Sequence, residues 1–368
     1  MNNSEFTFDS SQFDSFVSAY GLNKDILEDG FQLISVNTFE DIVADDSVTS
    51  LREAITFANN TADNVIILLN PGTYTLTITG EENPSDPNST GDLDILGVEG
   101  RVAIVGIDDS EDILIDAQNL GDRVFDIQES ADVTIANLTI TGGQGSFGGA
   151  ILNFGTLTVT ESNFVDNKSL LAGGGAIFND GTLTVTESNF ADNFSNFGGG
   201  AIASNSMLVV TESNFVGNKA LLAGGAITNR GTAEIVESNF TDNSSDLLGG
   251  AIENLGTLVL SKSTFKNNSA ELGGAIYNFS GAVPPDGDEF YGILLVIEST
   301  FGNNLAQEGG AIYNQALLVV TESQFLSNKA LYGDAIYNDL NSLLVPLGRN
   351  KFEKGSIWIS GKSESENA

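Results

Sequence analysis

Apolar and polar positions alternate through most of the chain, in short runs that repeat. TLTVTESNF, Thr156–Phe164, is one such run. Leu157 and Val159 share a face; past a corner near Glu161 the alternation resets, so that Ser162 and Phe164 continue that face. Period-two runs rich in Thr, Val, Ile and Phe, separated by Gly and Asn, predict β-strands. The block GGAI recurs at Gly148–Ile151, Gly174–Ile177, Gly199–Ile202, Gly224–Ile227, Gly249–Ile252, Gly273–Ile276 and Gly309–Ile312, and GDAI follows at Gly333–Ile336. The steps are 26, 25, 25, 25, 24, 36 and 24 residues; the long one holds an insertion, FSGAVPPDGDEFYG, at 279–292. A second block, FxxN, keeps the same step from Phe164/Asn167 to Phe325/Asn328.

A fixed period of this kind predicts a solenoid. Helical repeats, leucine-rich repeats and GGxGxD nonapeptides leave different signatures, and none is present. Roughly 25 residues per turn suits three short strands and three turns, a single-stranded parallel β-helix in which each strand pairs with its equivalent about 4.8 Å away. The fold class is therefore all-β. Phe164, Phe190, Phe215, Phe240, Phe265, Phe301 and Phe325 are expected to stack inside the coil. Asn167 and its equivalents form one expected ladder of side-chain amides. A second follows GGAI at Asn153, Asn179, Asn229, Asn254, Asn278, Asn314 and Asn338, with Ser204 breaking it.

The first part is less regular. SLREAITFANN, 50–60, reads as an amphipathic helix with a capping box, Ser50 and Glu53, and an apolar face of Leu51, Ala54, Ile55 and Ala58. Such a helix is a suitable cover for the open edge of a β-helix. Seven strand-like runs between Val65 and Ile140 then read as about four irregular turns. The expected organisation is a leader at 1–30 serving as cap or assembly arm, capping helix and irregular turns at 31–145, regular repeats at 146–340, and a last turn with a polar tail at 341–368. In that last turn Pro346 suits a final strand, Phe352 can end the Phe stack, and Ile357–Ile359 can add one more strand.

Composition removes function classes. Lys and Arg number 14 against 50 Asp and Glu, for a net charge of −36, so phosphate backbones and anionic lipids are not expected partners. The balance favours cations, Ca²⁺ above all. With no Cys and no His, disulfides, imidazole catalysis, Cys nucleophiles and thiolate metal centres are excluded. No stretch is long and apolar enough for a transmembrane helix, and the N-terminus lacks the charge and apolar pattern of a Sec signal peptide.

SLREAI, NPGTYTLTI, GDLDIL, DRVFDI and VTIANLTITGG together resemble the N-terminal region of CSLREA-type bacterial β-helix proteins, with Thr49 where that family has its name-giving Cys. The GGAI and FxxN blocks resemble the repeats of polymorphic outer-membrane proteins, which are surface adhesins. The resemblance covers about Val36–Leu340. It implies a right-handed coil and an extracellular or cell-surface setting, and it transfers no catalytic residue.

Several positions are candidate sites. Glu161, Glu187, Glu212 and Glu237 (with Glu298 and Glu322) recur at one outward corner, and with Asp166 and Asp192 they are candidate weak Ca²⁺ ligands; Lys262 interrupts the row. Tyr277, Tyr313 and Tyr337 follow GGAI at a variable and hence outward position, where a Tyr row can stack on sugar rings or a protein. Asp286, Asp288 and Glu289 make the insertion acidic. Lys168, Lys219 and Lys329 stand on separate turns, and Arg101 and Arg123 lie near Asp108, Asp109, Asp112 and Asp116 in sequence, but no named catalytic motif emerges. The expectation is a non-enzymatic adhesin, matrix or structural protein. It needs no cofactor, binds a polysaccharide or another surface protein, and associates head to tail through its ends. The alternative is a pectate-lyase-like or glycoside-hydrolase enzyme acting on an acidic polysaccharide. Two carboxylates and a Lys or Arg gathered in one groove distinguish it.

Overall fold

A computed structural model describes residues 30–360 except 45–46, 81–82, 84, 86, 98–99, 108–112, 284–287 and 354–355. The leader at 1–29 and the tail at 361–368 lie outside the described residues.

The chain coils into a parallel β-solenoid. Three long sheets run its length, of 12, 11 and 11 strands, and a short four-stranded sheet joins them along part of it. Successive strands of a sheet are one turn apart in sequence, and equivalent positions superpose: Leu157 pairs with Leu183, Phe164 with Phe190, Asn153 with Asn179. In each regular turn the TLTVT run supplies the first sheet, the NFV run the second, and the run after GGA the third.

The sequence dictates the corners. Glu161, Glu187, Glu212, Glu237, Lys262, Glu298 and Glu322 all adopt φ of 48–51°. This left-handed residue ends the first sheet, and it is what resets the alternation. Asp166, Asp192, Gly217, Asp242, Asn267, Asn303 and, on the last turn, Ser327 take a second left-handed corner after each Phe. Asp, Asn and Gly tolerate that conformation best, which explains the residue types there. In GGAI both glycines are sterically required: a Cβ at Gly174 would meet the Ile177 carbonyl, and one at Gly175 the Gly200 carbonyl on the next turn.

Inside, the Phe rings stack from Phe164 through Phe325 to Phe352, with centroids 4.6–4.9 Å apart and planes within 16° of parallel. Asn167 Nδ2 donates to Asn193 Oδ1 at 3.1 Å, and the same bond recurs at 2.8–3.0 Å on to Asn328. Each amide also donates to a carbonyl of the preceding turn, as Asn193 does to Phe164 at 2.8 Å. A third internal ladder consists of serines: Ser162 N–H donates to Ser188 Oγ at 3.1 Å, and Ser188 Oγ donates to the Thr186 carbonyl at 2.8 Å.

The helix spans Leu51–Ala58, and both capping-box bonds are present. It takes the place of a first strand in the third sheet and covers the edge of the strand Leu93–Ile95. The open edge is satisfied by side chains. Asn59 Nδ2 donates to the Asp94 carbonyl at 2.7 Å and Asn59 Oδ1 accepts from Leu96 N–H at 2.9 Å, while Asn88 Oδ1 accepts from Asp94 N–H at 2.8 Å. Arg52, on the same helix, is fully buried. Its guanidinium bonds Asp41 at 2.7 and 3.1 Å and the carbonyls of Gly91 and Asp92 at 2.9 and 3.2 Å. A strand at Phe31–Ser35, unmarked in the sequence reading, opens the first sheet.

At the other end, Leu343–Leu347 closes the first sheet and Ile357–Ile359 the third. Leu343 N–H bonds back to the Ala316 carbonyl. Backbone direction alternates along a strand, so Pro346 turns its missing N–H toward the open end.

Candidate functional site

The corner glutamates are exposed, as expected. Lys262 Nζ bonds Glu237 Oε1 at 2.9 Å, and Glu237 and then Glu298 raise its pKa. Burial and then the charge of Glu187 raise that of Glu161. Asp166 and Asp192 sit at the other corner, after the Phe strand, on the same turns as Glu161 and Glu187. Among the described residues no three carboxylates converge on a metal position.

The tyrosine row is not exposed as expected. Tyr277, Tyr313 and Tyr337 do stack on successive turns, at 5.2 and 4.9 Å between centroids. Tyr277 and Tyr313 are nevertheless only 4% and 7% exposed, and Tyr337 is half-buried. Their column faces away from the core but is flanked by the strip of turns before each GG, which pairs turn to turn at Ala223, Leu248, Leu272, Glu308 and Tyr332. At Gly224 only the missing Cβ leaves room for Thr228 Oγ1 of that column. Tyr277 Oη donates to Gln315 Oε1 at 2.8 Å. These rings are therefore not a free sugar-stacking platform.

The same column buries Glu253, between Thr228 and Tyr277 in the register. Burial pushes its carboxyl up to about 7, against the lowering effects of the Arg230 charge and the Thr228 hydroxyl. Burial, followed by the neighbouring Tyr313 and Glu253, also raises the Tyr277 hydroxyl.

The insertion is an antiparallel hairpin in which 280–283 pairs with 288–291. Asp288 and Glu289 lie on its second strand, and Asp286 lies outside the described residues.

One charged group brings together residues of two successive turns. Arg123 Nη1 bonds Asp126 Oδ2 at 2.7 Å, and its Nε lies 3.5 Å from Asp92 Oδ2. Asp94 pairs in register with Asp126, and Gln128 Nε2 donates to Asp126 Oδ1 at 2.8 Å. Asp94 and Gln128 line a crevice of about 530 Å³, together with Asn59, Asn60, Asn83 and Asn88. Arg101 is elsewhere, bonded to Asp132 at 2.9 Å. Asp108, Asp109 and Asp112 lie outside the described residues, and Asp116 accepts from Gln118 N–H. Asp92, Asp94 and Asp126 are at most 8% exposed, and the Arg123 guanidinium offsets the charge of Asp92 and Asp126 where water scarcely reaches.

The family model for the Chlamydia polymorphic membrane protein repeat matches residues 262–278 and 298–315. Its repeats are similar to those of polymorphic membrane proteins. Both matched segments contain a corner, an FxxN turn and a GGAI block, the units that build the ladders. No curated protein matches the chain. Among solved structures, a rhamnogalacturonan lyase is similar at 10% identity, TM-score 0.46, covering 82% of this chain and 80% of that one. The pectate lyase Pel9A is similar at 16% identity, TM-score 0.37, with 90% and 80% covered. A PL6 alginate lyase in complex with a trisaccharide is similar at 13% identity, TM-score 0.38, with 91% and 87% covered. Among the described residues no helix is long and apolar enough to cross a membrane.

Proposed function

We propose that this protein is a non-enzymatic β-helix of the cell surface or extracellular space, an adhesin or matrix component that binds a polysaccharide or another surface protein through its side faces. The observation that carries this reading is the continuity of two interior columns. The Phe stack from Phe164 to Phe352 and the Asn ladder from Asn167 to Asn328 pass every regular turn without a gap, so sequence variation is left to the outer faces. An active site built from the repeats would interrupt them locally. The polymorphic-membrane-protein repeats support the surface setting. Ca²⁺ enters as a counter-ion of the corner glutamates. Head-to-tail contact through the terminal turns belongs to the same proposal; Pro346 disfavours the first sheet at one end, and the helix Leu51–Ala58 covers the third sheet at the other.

A polysaccharide panel, scored for binding and for chain scission, tests the reading. Binding without scission supports it, and scission overturns it.

The enzymatic alternative has one observation in its favour, the Arg123, Asp92 and Asp126 group beside the crevice that Asp94 lines. Should scission occur, Asp94→Asn would abolish it under that alternative.

A further inference from the structure

The strip that leads from each FxxN turn to the next GG shortens part-way along the coil. The step is six residues from Asn193 to Gly199, Asn218 to Gly224 and Asn243 to Gly249, and five from Asn268 to Gly273, Asn304 to Gly309 and Asn328 to Gly333. Neighbouring strips of unequal length cannot bond throughout. The N–H groups of Asn196, Leu221 and Asp246 bond the carbonyls of Ser169, Ser195 and Ala220 on the preceding turn, at 3.1–3.3 Å. The next pair of that series, Glu271 N–H and the Ser245 carbonyl, are not bonded to each other. Leu272 N–H bonds the Leu247 carbonyl instead, at 2.9 Å. The four-stranded sheet ends at the same place, with Ser244–Ser245 as its last strand. The mismatch leaves a groove of about 450 Å³ across three turns, ~10 Å along the coil. Ser245, Ser269, Ala270 and Ala306 line it, small and buried or half-buried, and Asp246, Glu271 and Gln307 stand exposed beside them.

We infer, on the surface-binding reading above, that this groove seats the polysaccharide and that the polysaccharide is a neutral one. Sugar hydroxyls both donate and accept, and the groove answers both. The Asp246 and Glu271 carboxylates accept, and the Gln307 amide and Ser269 hydroxyl do either. Leu305, 52% exposed, offers an apolar contact to the C–H face of a ring. Among the described residues no Lys or Arg lines the groove. By register Lys219 and Lys329 stand one turn beyond its two ends, and Lys219 bonds Asp246 at 3.4 Å. A uronate or sulfated chain would therefore meet two carboxylates there, on a protein of charge −36. A basic peptide is the poorer fit. Interfaces are anchored by large side chains in pockets, and this floor is serine and alanine. Exposed carboxylates, for their part, hold a lone cation weakly in water.

The test is calorimetric titration of the full-length protein with neutral hexasaccharides of glucose, mannose and galactose, and with hexagalacturonate. At least one neutral hexasaccharide should bind, equally well at low and high salt, and hexagalacturonate should bind at least tenfold more weakly. Ala270→Trp, which fills the groove, should weaken neutral binding at least tenfold, and Glu271→Ala at least threefold. Leu171→Trp, exposed on the same strip outside the groove, should change nothing. Glu271 is exposed, so its variant decides the matter should Ala270→Trp fail to fold. Tighter binding of hexagalacturonate, neutral binding untouched by the groove variants, or binding of a lysine-rich peptide in place of any glycan would each overturn the inference. So would the absence of all binding, which leaves the surface reading its protein partner. Scission of a bound neutral glycan would instead overturn the non-enzymatic reading and leave the groove assignment standing.

Discussion

The Asn179 amide donates to the Ser204 hydroxyl at 3.0 Å, and there the second asparagine ladder stops. Ser204 Oγ turns to the Ser206 carbonyl at 3.4 Å, and Asn229 Oδ1 on the following turn is buried without a partner. The ladder then resumes, Asn229 donating to Asn254 at 2.8 Å. Asn153 Oδ1 is unpaired for the same reason: it heads the ladder, and the preceding residue in register is Ile127.

Ser204→Asn should therefore stabilise the protein. It supplies a donor to a buried acceptor, and an unmet buried acceptor costs about 1–3 kcal/mol. The same amide fits this position on the neighbouring turns. A higher denaturant midpoint with an unchanged slope is the expected result; an unchanged midpoint would show that Asn229 Oδ1 carries no penalty.

Phe215 occupies the middle of the ring stack and is completely buried, with neighbours at 4.9 and 4.7 Å. Phe215→Ala should cost about 3–5 kcal/mol. Glu212→Ala, at the exposed corner of the same turn, removes a like-charged neighbour and should cost little. Equal effects of the two substitutions on the denaturant midpoint would contradict the assignment of inner and outer columns.

Periodicity is why the interior was legible and the tyrosine column was not. Phe164 and Asn167 recur because the inside of every turn is the same, and that regularity is written in the sequence. Leu152, Phe178, Ala203, Thr228, Glu253 and Tyr277 vary, and variation suggested exposure. The column varies because its neighbours in the adjoining turn strip also vary, from Gly198 to Ala223 to Leu248. The capping helix was legible from Ser50 and Glu53, which lie three residues apart. Arg52 was not, because its partners Asp41 and Gly91 are 11 and 39 residues away.

Glu253 should make stability depend on pH. Its carboxyl holds a proton up to about 7 when folded but only to about 4.5 when unfolded. The folded state thus binds more protons between those values, and stability falls as pH rises from about 4.5 to 7, by on the order of 3 kcal/mol. Below 4.5 the contribution is fully present. Glu253→Gln should flatten the profile across that window. If the unfolding midpoints of the two proteins run parallel from pH 4.5 to 8, the carboxyl is not held protonated.

The corner glutamates form one exposed row of like charges, which predicts a response to divalent counter-ions. Millimolar Ca²⁺ should raise the melting temperature modestly, and Mg²⁺ at equal ionic strength should do the same, because both screen the column. A Ca²⁺-specific increase would instead mark a chelating site, stabilising by mass action.

The Arg52–Asp41 pair tests how the first turn is held. Burial opposes ionisation of Asp41, but the hydrogen bond and charge of Arg52, with the N–H groups of Thr77 and Ile78, outweigh it and hold the carboxyl below its usual value. Stability from this group is therefore fully present above about pH 4 and is lost as pH falls through its lowered folded value. Arg52→Ala leaves Asp41 without its cation, and it strips the Gly91 and Asp92 carbonyls of their donor. Removing one partner of a buried pair typically costs 3–5 kcal/mol. Arg52→Met keeps most of the volume and loses the same bonds, so it separates packing from charge. Both variants should be destabilised at pH 7, with the deficit relative to the unsubstituted protein shrinking in acid as Asp41 takes up a proton. A deficit of constant size down to pH 2 would mean that Arg52 acts through its aliphatic stem and carbonyl contacts alone.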